Sequence, residues 1–327
     1  MLYDFTVTKY FFVKSLRWIS YCVTLLRVRM QRDKGTIAVG GREMVLSKNM
    51  QKLVAGSSTI RKLFEEGIEL AKEVGAENVY DFSLGNPAAP VPEEVKKSIY
   101  DILENRNANF VHCYMPNAGY PEVREKVAAN LNKKYDSSFT KEDIIMTVGA
   151  AGGINCVLRC LLEQEDEVLC FAPFFGEYNS YVMNFGGNLK VVPADYETFQ
   201  LNVEEADKYI TERTKAVIIN NPNNPSGVVY NKETLIRLQK MLEKAEERIG
   251  HPIYVLSDEP YRELVYDGCE LPFAPDYIKN CIVVYSFSKS LSLSGERIGY
   301  MAVSPQIAEY DTMINALVVA NRCIGYI

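Results

Sequence analysis

The chain has 327 residues, with 36 basic against 42 acidic side chains (formal net charge −6), 47% apolar and 24% charged. That composition is ordinary for a globular chain, not a disordered or fibrous one, and the acidic balance argues against a nucleic-acid partner, because phosphate binding needs concentrated positive charge. The length suits one large α/β domain with a smaller attachment.

Residues 1–43 form an atypical N-terminal extension, aromatic and basic, with eight Lys or Arg against three acids. Its longest charge-free stretch, Trp18 to Leu26, is far short of the ~20 apolar residues that span a bilayer. Integral membrane association is therefore not expected. Lys14 and Arg17 interrupt the apolar run and no small-residue cleavage site follows, which excludes a signal-peptide layout. Of a peripheral membrane segment and a non-native leader ahead of a start at Met44, the sequence favours the leader.

From Val45 the pattern is regular. Ile60 to Val74 reads as an amphipathic helix (Ile60, Leu63, Phe64, Ile68, Ala71) that stops near Gly75. The prolines of DFSLGNPAAPVPEEV (81–95) forbid further helix. Helix resumes over Pro121 to Leu131, where Val123, Val127 and Leu131 recur every four residues. Seven apolar strand candidates follow: IIMTVG (144–149), EVLCFAP (167–173), LKVVPA (189–194), AVIIN (216–220), IYVLSD (253–258), CIVVYSF (281–287) and IGYMAVS (298–304). Helical patterns separate most of them, the clearest at 232–250 with Gly250 as its stop. Near-continuous Val/Ile/Leu strands alternating with helices predict a mostly parallel sheet sandwiched by helices, an α/β domain, with the segment before about residue 100 as an arm or partial second domain.

The eight cysteines include Cys170 and Cys281 inside apolar runs, where a reduced thiol acts as a small hydrophobe. Cys156 and Cys160 stand four apart, but with only His112 and His251 in the chain no metal site is expected. A reducing, cytoplasmic setting is the plain reading.

In an open parallel sheet, ligands bind beyond the carboxyl ends of the strands, so the strand ends carry the candidate chemistry. TVGAAGGI (147–154) ends a strand with small residues and opens a helix, leaving free backbone N–H groups suited to an anion. Its spacing does not fit GxGxxG, and a small-residue turn for close packing explains it equally well. APFFGEY (172–178) places Phe174 and Phe175 at the next end, as core or as a ring-stacking surface. NNPNNPSG (220–227) is a rigid polar turn whose amides suit a ligand. VLSDEPY (255–261) brings Asp258 to the end of an apolar strand, as a helix cap or as the partner of a cationic ligand. SFSKSLSLSGERIG (286–299) puts Lys289 among serines with Arg297 eight residues on. A lysine after a buried strand is commonly a snorkelling surface residue, whereas the hydroxyls and the arginine suggest a phosphate pocket.

In this order, the Asn-Pro-Ser-Gly, Asp-Glu-Pro-Tyr and Ser-Phe-Ser-Lys-Ser blocks resemble the class I/II aminotransferases, fold type I pyridoxal-phosphate (PLP) enzymes, and the resemblance runs from about Met44 to the end. It implies that residues 44–110 form an arm and part of a small domain, and 111–327 the cofactor-binding large domain. It implies that Lys289 forms the internal aldimine with the cofactor pyridoxal 5'-phosphate and later acts as the proton-transfer base, and that Asp258 pairs with the pyridinium nitrogen. It further implies that Asn224 and Tyr261 hydrogen-bond the ring oxygen, that Phe175 stacks on the ring, and that Ser286, Ser288, Arg297 and the backbone of Gly149, Ala150 and Ala151 hold the phosphate. Tyr114 matches a tyrosine that reaches the neighbouring subunit's phosphate, which implies a homodimer with shared active sites. Gly85, in SLGNP, matches the loop that closes over substrate. Members continue beyond the position of Ile327 into a C-terminal small domain with a carboxylate-binding arginine, and the context of Arg322 does not match that arginine. The expected reaction moves an amino group between an amino acid and a 2-oxo acid; a β-lyase of the same fold and a truncated non-catalytic chain are the alternatives.

Overall fold

A computed structural model describes residues 45–56, 59–80, 85–135 and 137–325. The N-terminal extension with its leader lies outside the described residues. The chain divides into two compact units, Met1–Gly56 and Ser57–Ile327. In the first, the described residues form helix α1 (Lys48–Gly56).

The second unit begins with α2 (Thr59–Val74), α3 (Glu93–Asn105) and α4 (Ala108–His112). Neither α3 nor α4 has a buried residue, and Ile99, Tyr100 and Leu103 of α3 face solvent. After α5 (Pro121–Tyr135) the chain builds the sheet in the alternation expected: β1 (Ile144–Thr147), α6 (Gly149–Leu161), β2 (Glu167–Phe171), α7 (Tyr178–Met183), β3 (Asn188–Val192), α8 (Val203–Ala206), β4 (Thr214–Asn220), α9 (Lys232–Ile249), β5 (Tyr254–Asp258), β6 (Cys281–Ser286), α10 (Phe287–Ser290), β7 (Gly299–Val303) and α11 (Tyr310–Cys323).

The seven strands lie in the order β1-β7-β6-β5-β4-β2-β3. Strands β3, β2, β4, β5 and β6 pair in parallel; β7 runs antiparallel to both β6 and β1. The mostly parallel α/β sheet is thus what forms, with one reversed strand near an edge. That reversal has a consequence for the site, because the start of β7 meets the ends of β6 and β1, with Gly299 opposite Ser286 and Thr147.

The side chains of each strand alternate between two cores, as the pleat requires. Leu169, Val217, Val255, Val283 and Ala302 pack on one face with Leu131 of α5 and Leu235, Leu238 and Leu242 of α9. Cys170, Ile218, Leu256, Val284 and Met301 pack on the other with Leu158 of α6, Val182 of α7 and Leu317 of α11. Helix α9 shows how sequence sets such an element. Asn231 caps it by accepting from Thr234 N at 2.8 Å, Gly250 ends it at φ 81°, and its leucines recur on one face. Burying each leucine is worth about 1.5–3 kcal/mol, and Leu238→Ala would cost about 2–5 kcal/mol.

Candidate active site

The strand ends converge because of register. Asn220 of β4 lies opposite Asp258 of β5, and Asp258 opposite Val284 of β6, two residues before Ser286. Asn220, Asp258 and Ser286 share the parity of Ile218, Leu256 and Val284, so all three side chains emerge on the face covered by α6, α7 and α11. There they border a cavity of about 670 Å³ lined by Gly85, Ala150, Ala151, Phe174, Phe175, Asn224, Asp258, Tyr261, Ser286, Ser288, Lys289 and Arg297 among others.

At the floor stands Asp258, 6% exposed. Its Oδ2 accepts from the Tyr178 hydroxyl at 2.5 Å, while Oδ1 is buried with no partner. Burial pushes the carboxyl from its ordinary 3.8 up to about 7, against the lowering effect of the Tyr178 bond and with a further rise from nearby Glu259. The same burial, with the carboxylate beside it, raises the Tyr178 phenol well above its usual range. Asp258 caps no helix: it ends β5, and its carbonyl accepts from Asn220 Nδ2 at 2.8 Å and from Asn221 N at 3.1 Å. Asn220 Oδ1 also accepts from the Asn224 amide at 2.5 Å, and Asn224 Nδ2 donates to the Tyr261 hydroxyl at 3.2 Å. The polar turn after β4 and the turn after β5 are thereby tied at one point.

Lys289 lies one turn past β6, in α10, whose cap is Ser286: the Ser286 hydroxyl oxygen accepts from Ser288 N at 3.2 Å and lies 2.7 Å from Ser288 Oγ. Lys289 Nζ donates to the Gly85 carbonyl. Its ammonium is disfavoured first by burial and then by the Arg297 charge, so its pKa lies below the ordinary lysine value. It is partly buried within the cavity and not a snorkelling surface residue.

Arg297 precedes β7 with its backbone in the left-handed region (φ 56°), a conformation that costs energy for a residue with a Cβ and marks many functional sites. Its Nη1 donates to the Ser294 carbonyl at 2.9 Å. A Cβ added at Gly149 (φ 69°) would lie 3.1 Å from Arg297 Nη2 and 3.6 Å from Ser286 Oγ, so the glycine keeps a space between the start of α6, the guanidinium and the serines. Gly153, one turn on, has a different reason: a Cβ there would lie 2.2 Å from Val284 Cγ1, so it permits α6 to lie close on the sheet. The small-residue turn thus serves close packing at Gly153 and leaves space beside the guanidinium at Gly149.

These residues fit pyridoxal phosphate. An unpartnered buried carboxylate oxygen suits a protonated ring nitrogen, a lysine of lowered pKa suits an aldehyde, and the Gly149–Ser286–Ser288–Arg297 cradle, at a helix N-terminus, suits a phosphate. Phe174 and Phe175 pack partly into the core while lining the cavity. Tyr114 does not join the others; it is 86% exposed, with the Arg322 guanidinium 5.6 Å from its ring centre. Sequence reading missed Tyr178 and Asn220. Tyr178 lies inside the quoted APFFGEY block, but only the fold shows that it meets a carboxylate eighty residues away. Among the described residues no His/Cys/Asp/Glu group could hold a metal ion, and no helix is long and apolar enough to cross a membrane.

Comparison with known proteins bears on the family and the fold. The family description "Aminotransferase class I and II" matches residues 76–322. A solved amino transferase from Eubacterium rectale is 42% identical, with a TM-score of 0.83 over 87% of this chain and 72% of that one. Thermus thermophilus aspartate aminotransferase, solved with maleate, is 28% identical with a TM-score of 0.72 over 87% of this chain and 70% of that one. Aromatic-amino-acid aminotransferase 2 of Thermococcus litoralis is 33% identical over 81% of this chain and 65% of its own length. The chain spans just under two thirds of the length of the curated relatives it matches first.

Proposed function

The chain belongs to the class I and II aminotransferase family, and we propose that it transfers an amino group between an amino acid and a 2-oxo acid, using pyridoxal phosphate held covalently by Lys289. The observation that carries this reading is the pairing of unlike groups in one cavity: a buried carboxylate with one oxygen unpartnered, and a lysine whose ammonium is disfavoured.

When bound, the cofactor supplies a carbonyl carbon for the amino group and a ring that accepts the electron pair left at the substrate Cα. The chain's own groups do the rest. Asp258 Oδ1, buried and unpartnered, would accept from the ring nitrogen and, as a carboxylate, would keep that nitrogen protonated. Asn224 and Tyr261, already bonded to each other, present an amide and a hydroxyl to the ring oxygen. Phe175, which lines the cavity, would stack on the ring. Ser286, Ser288, Arg297 and the amides of Gly149, Ala150 and Ala151 orient the phosphate. Lys289 Nζ, with its lowered pKa, holds the cofactor and then moves the proton at Cα. Gly85, whose carbonyl holds Lys289 Nζ, and Asn224 border the substrate.

The same reading makes residues 44–110 an arm and part of a small domain ahead of the large domain at 111–327, in a homodimer working in a reducing cytoplasm. Support for the dimer is Tyr114, which is exposed and does not line this chain's own cavity. Sedimentation of cofactor-saturated protein checks it; an active monomer overturns it. The reaction itself is tested by supplying amino acids with and without 2-oxoglutarate. Oxo-acid formation that depends on the acceptor supports transamination, whereas pyruvate release without it indicates β-elimination.

A further inference from the structure

Behind Asp258, on the opposite face of the sheet, lies a pair of buried charges that the chemistry above does not use. Glu259 is 2% exposed and Arg262 3%. Arg262 Nε and Nη2 donate to Glu259 Oε2 at 2.8 and 2.6 Å, and Nη1 donates to the Tyr300 hydroxyl at 3.2 Å. Glu259 Oε1 accepts from the Ser257 hydroxyl at 2.6 Å. The rings of Tyr285, Phe273 and Tyr135 stand 5.1, 5.2 and 5.5 Å from the guanidinium carbon. Every side-chain nitrogen and oxygen of the pair thus has a partner, and the guanidinium is boxed by aromatic rings contributed by β6, α5 and the loop before β6.

Stability gives a weak reason for such a pair, since apolar residues of similar volume commonly serve as well or better in a core. Its geometry offers another. Successive residues of β5 and its extension point to opposite faces: Asp258 goes to the cavity, Glu259 to the other core. Glu259 and Arg262 bracket Pro260 and Tyr261, both of which line the cavity. Glu259 N also donates to the Val284 carbonyl at 2.9 Å. Each side of the short span carrying Tyr261 is therefore tied into the far core, and Asp258 is joined directly to one of those ties.

We propose that the Glu259–Arg262 pair positions the cofactor site from behind, by fixing the turn that presents the Asp258 carboxyl and the Tyr261 hydroxyl to the cavity. The purpose assigned to the pair rests on the proposed function; the clamp itself is a property of this chain.

The test compares the parent chain with Arg262→Met and with the double variant Glu259→Gln/Arg262→Met. Arg262→Met leaves Glu259 charged and unpaired, so its melting temperature should fall. The double variant buries no charge and should recover most of that loss. Amide exchange in the cofactor-free chain is the deciding measurement. In the double variant, exchange over 258–264 and 220–224 should speed by about tenfold or more, with 168–171 in β2 unchanged. Its dissociation constant for pyridoxal phosphate should rise by about tenfold. Parental exchange over 258–264 in the double variant overturns the proposal, as does a uniform speeding that includes 168–171, which marks a purely structural pair. If the double variant does not fold, Arg262→Lys replaces it, because lysine keeps the charge but not the two-pronged bond. The same local loosening is then expected, and parental exchange again overturns the proposal. A parent chain that fails to bind pyridoxal phosphate sinks the proposed function instead, while the exchange comparison still decides the clamp.

Discussion

Tyr178 and Asp258, eighty residues apart, share a buried hydrogen bond of 2.5 Å, and the tyrosine takes only one of the two carboxylate oxygens. One oxygen of the carboxylate is thus held in place, and the other is buried without a partner. An oxygen buried without a partner is costly; a cationic ring nitrogen would relieve that cost.

Replacing Tyr178 with phenylalanine removes the interaction that holds the Asp258 pKa down. In the cofactor-free chain the carboxyl should titrate above its present value of about 7. Carbon-13 NMR of labelled aspartate in the parent and Tyr178→Phe reads this directly, and an unchanged or lower titration point contradicts it.

The raised Asp258 pKa also gives stability a pH dependence of definite sign. A carboxyl at 3.8 when unfolded and about 7 when folded binds its proton more tightly in the native state. Its contribution is therefore most favourable below pH 4 and is lost as pH rises to about 7, by on the order of 4 kcal/mol at most. Melting temperatures of cofactor-free parent and Asp258→Asn should diverge over that window, with the parent losing ground as pH rises. Parallel curves argue against a buried, unpaired Asp258.

With cofactor present the same Asp258→Asn substitution should slow the first half-reaction by about 10²–10³-fold or more, because the ring loses its charge partner. Rapid mixing with an amino acid measures it, and parental rates rule out the assigned role.

Lys289→Ala should lose the visible absorbance of the covalently held cofactor and every turnover after the first. A variant that keeps both removes the central assignment.

Arg297→Met should weaken pyridoxal phosphate binding by ~2–5 kcal/mol, roughly 30-fold to several-thousand-fold, while leaving the affinity for pyridoxal, which lacks the phosphate, nearly unchanged. The Lys289 pKa should also rise, since one of the two causes lowering it is the Arg297 charge. Equal losses for the two ligands would place the phosphate elsewhere.

Most of the sheet and much of the site were readable in advance, for a local reason. Strands such as CIVVYSF declare themselves as short, near-continuous apolar runs and helices such as 232–250 through an apolar period of 3.6, which a few residues suffice to express. The motif ends carried Asp258, Asn224, Ser286, Lys289 and Arg297, because rigid turns and polar residues just past an apolar strand are unusual at any one place. The reversed direction of β7 was not readable, since IGYMAVS is as apolar as the strands that pair in parallel. Nor was the Glu259–Arg262 pair, whose charges by composition alone belong on a surface.

The sequence by itself therefore determined the elements, their alternation and the residue types at their ends. Tertiary structure alone decided the strand order, the register that sets Asn220 beside Asp258, and the choice of Tyr178 and Arg262 as partners. The physical reason is that periodicity is written within five to eighteen residues, whereas strand pairing and buried polar contacts are selected by the packing free energy of the whole domain, among many segments that look alike locally.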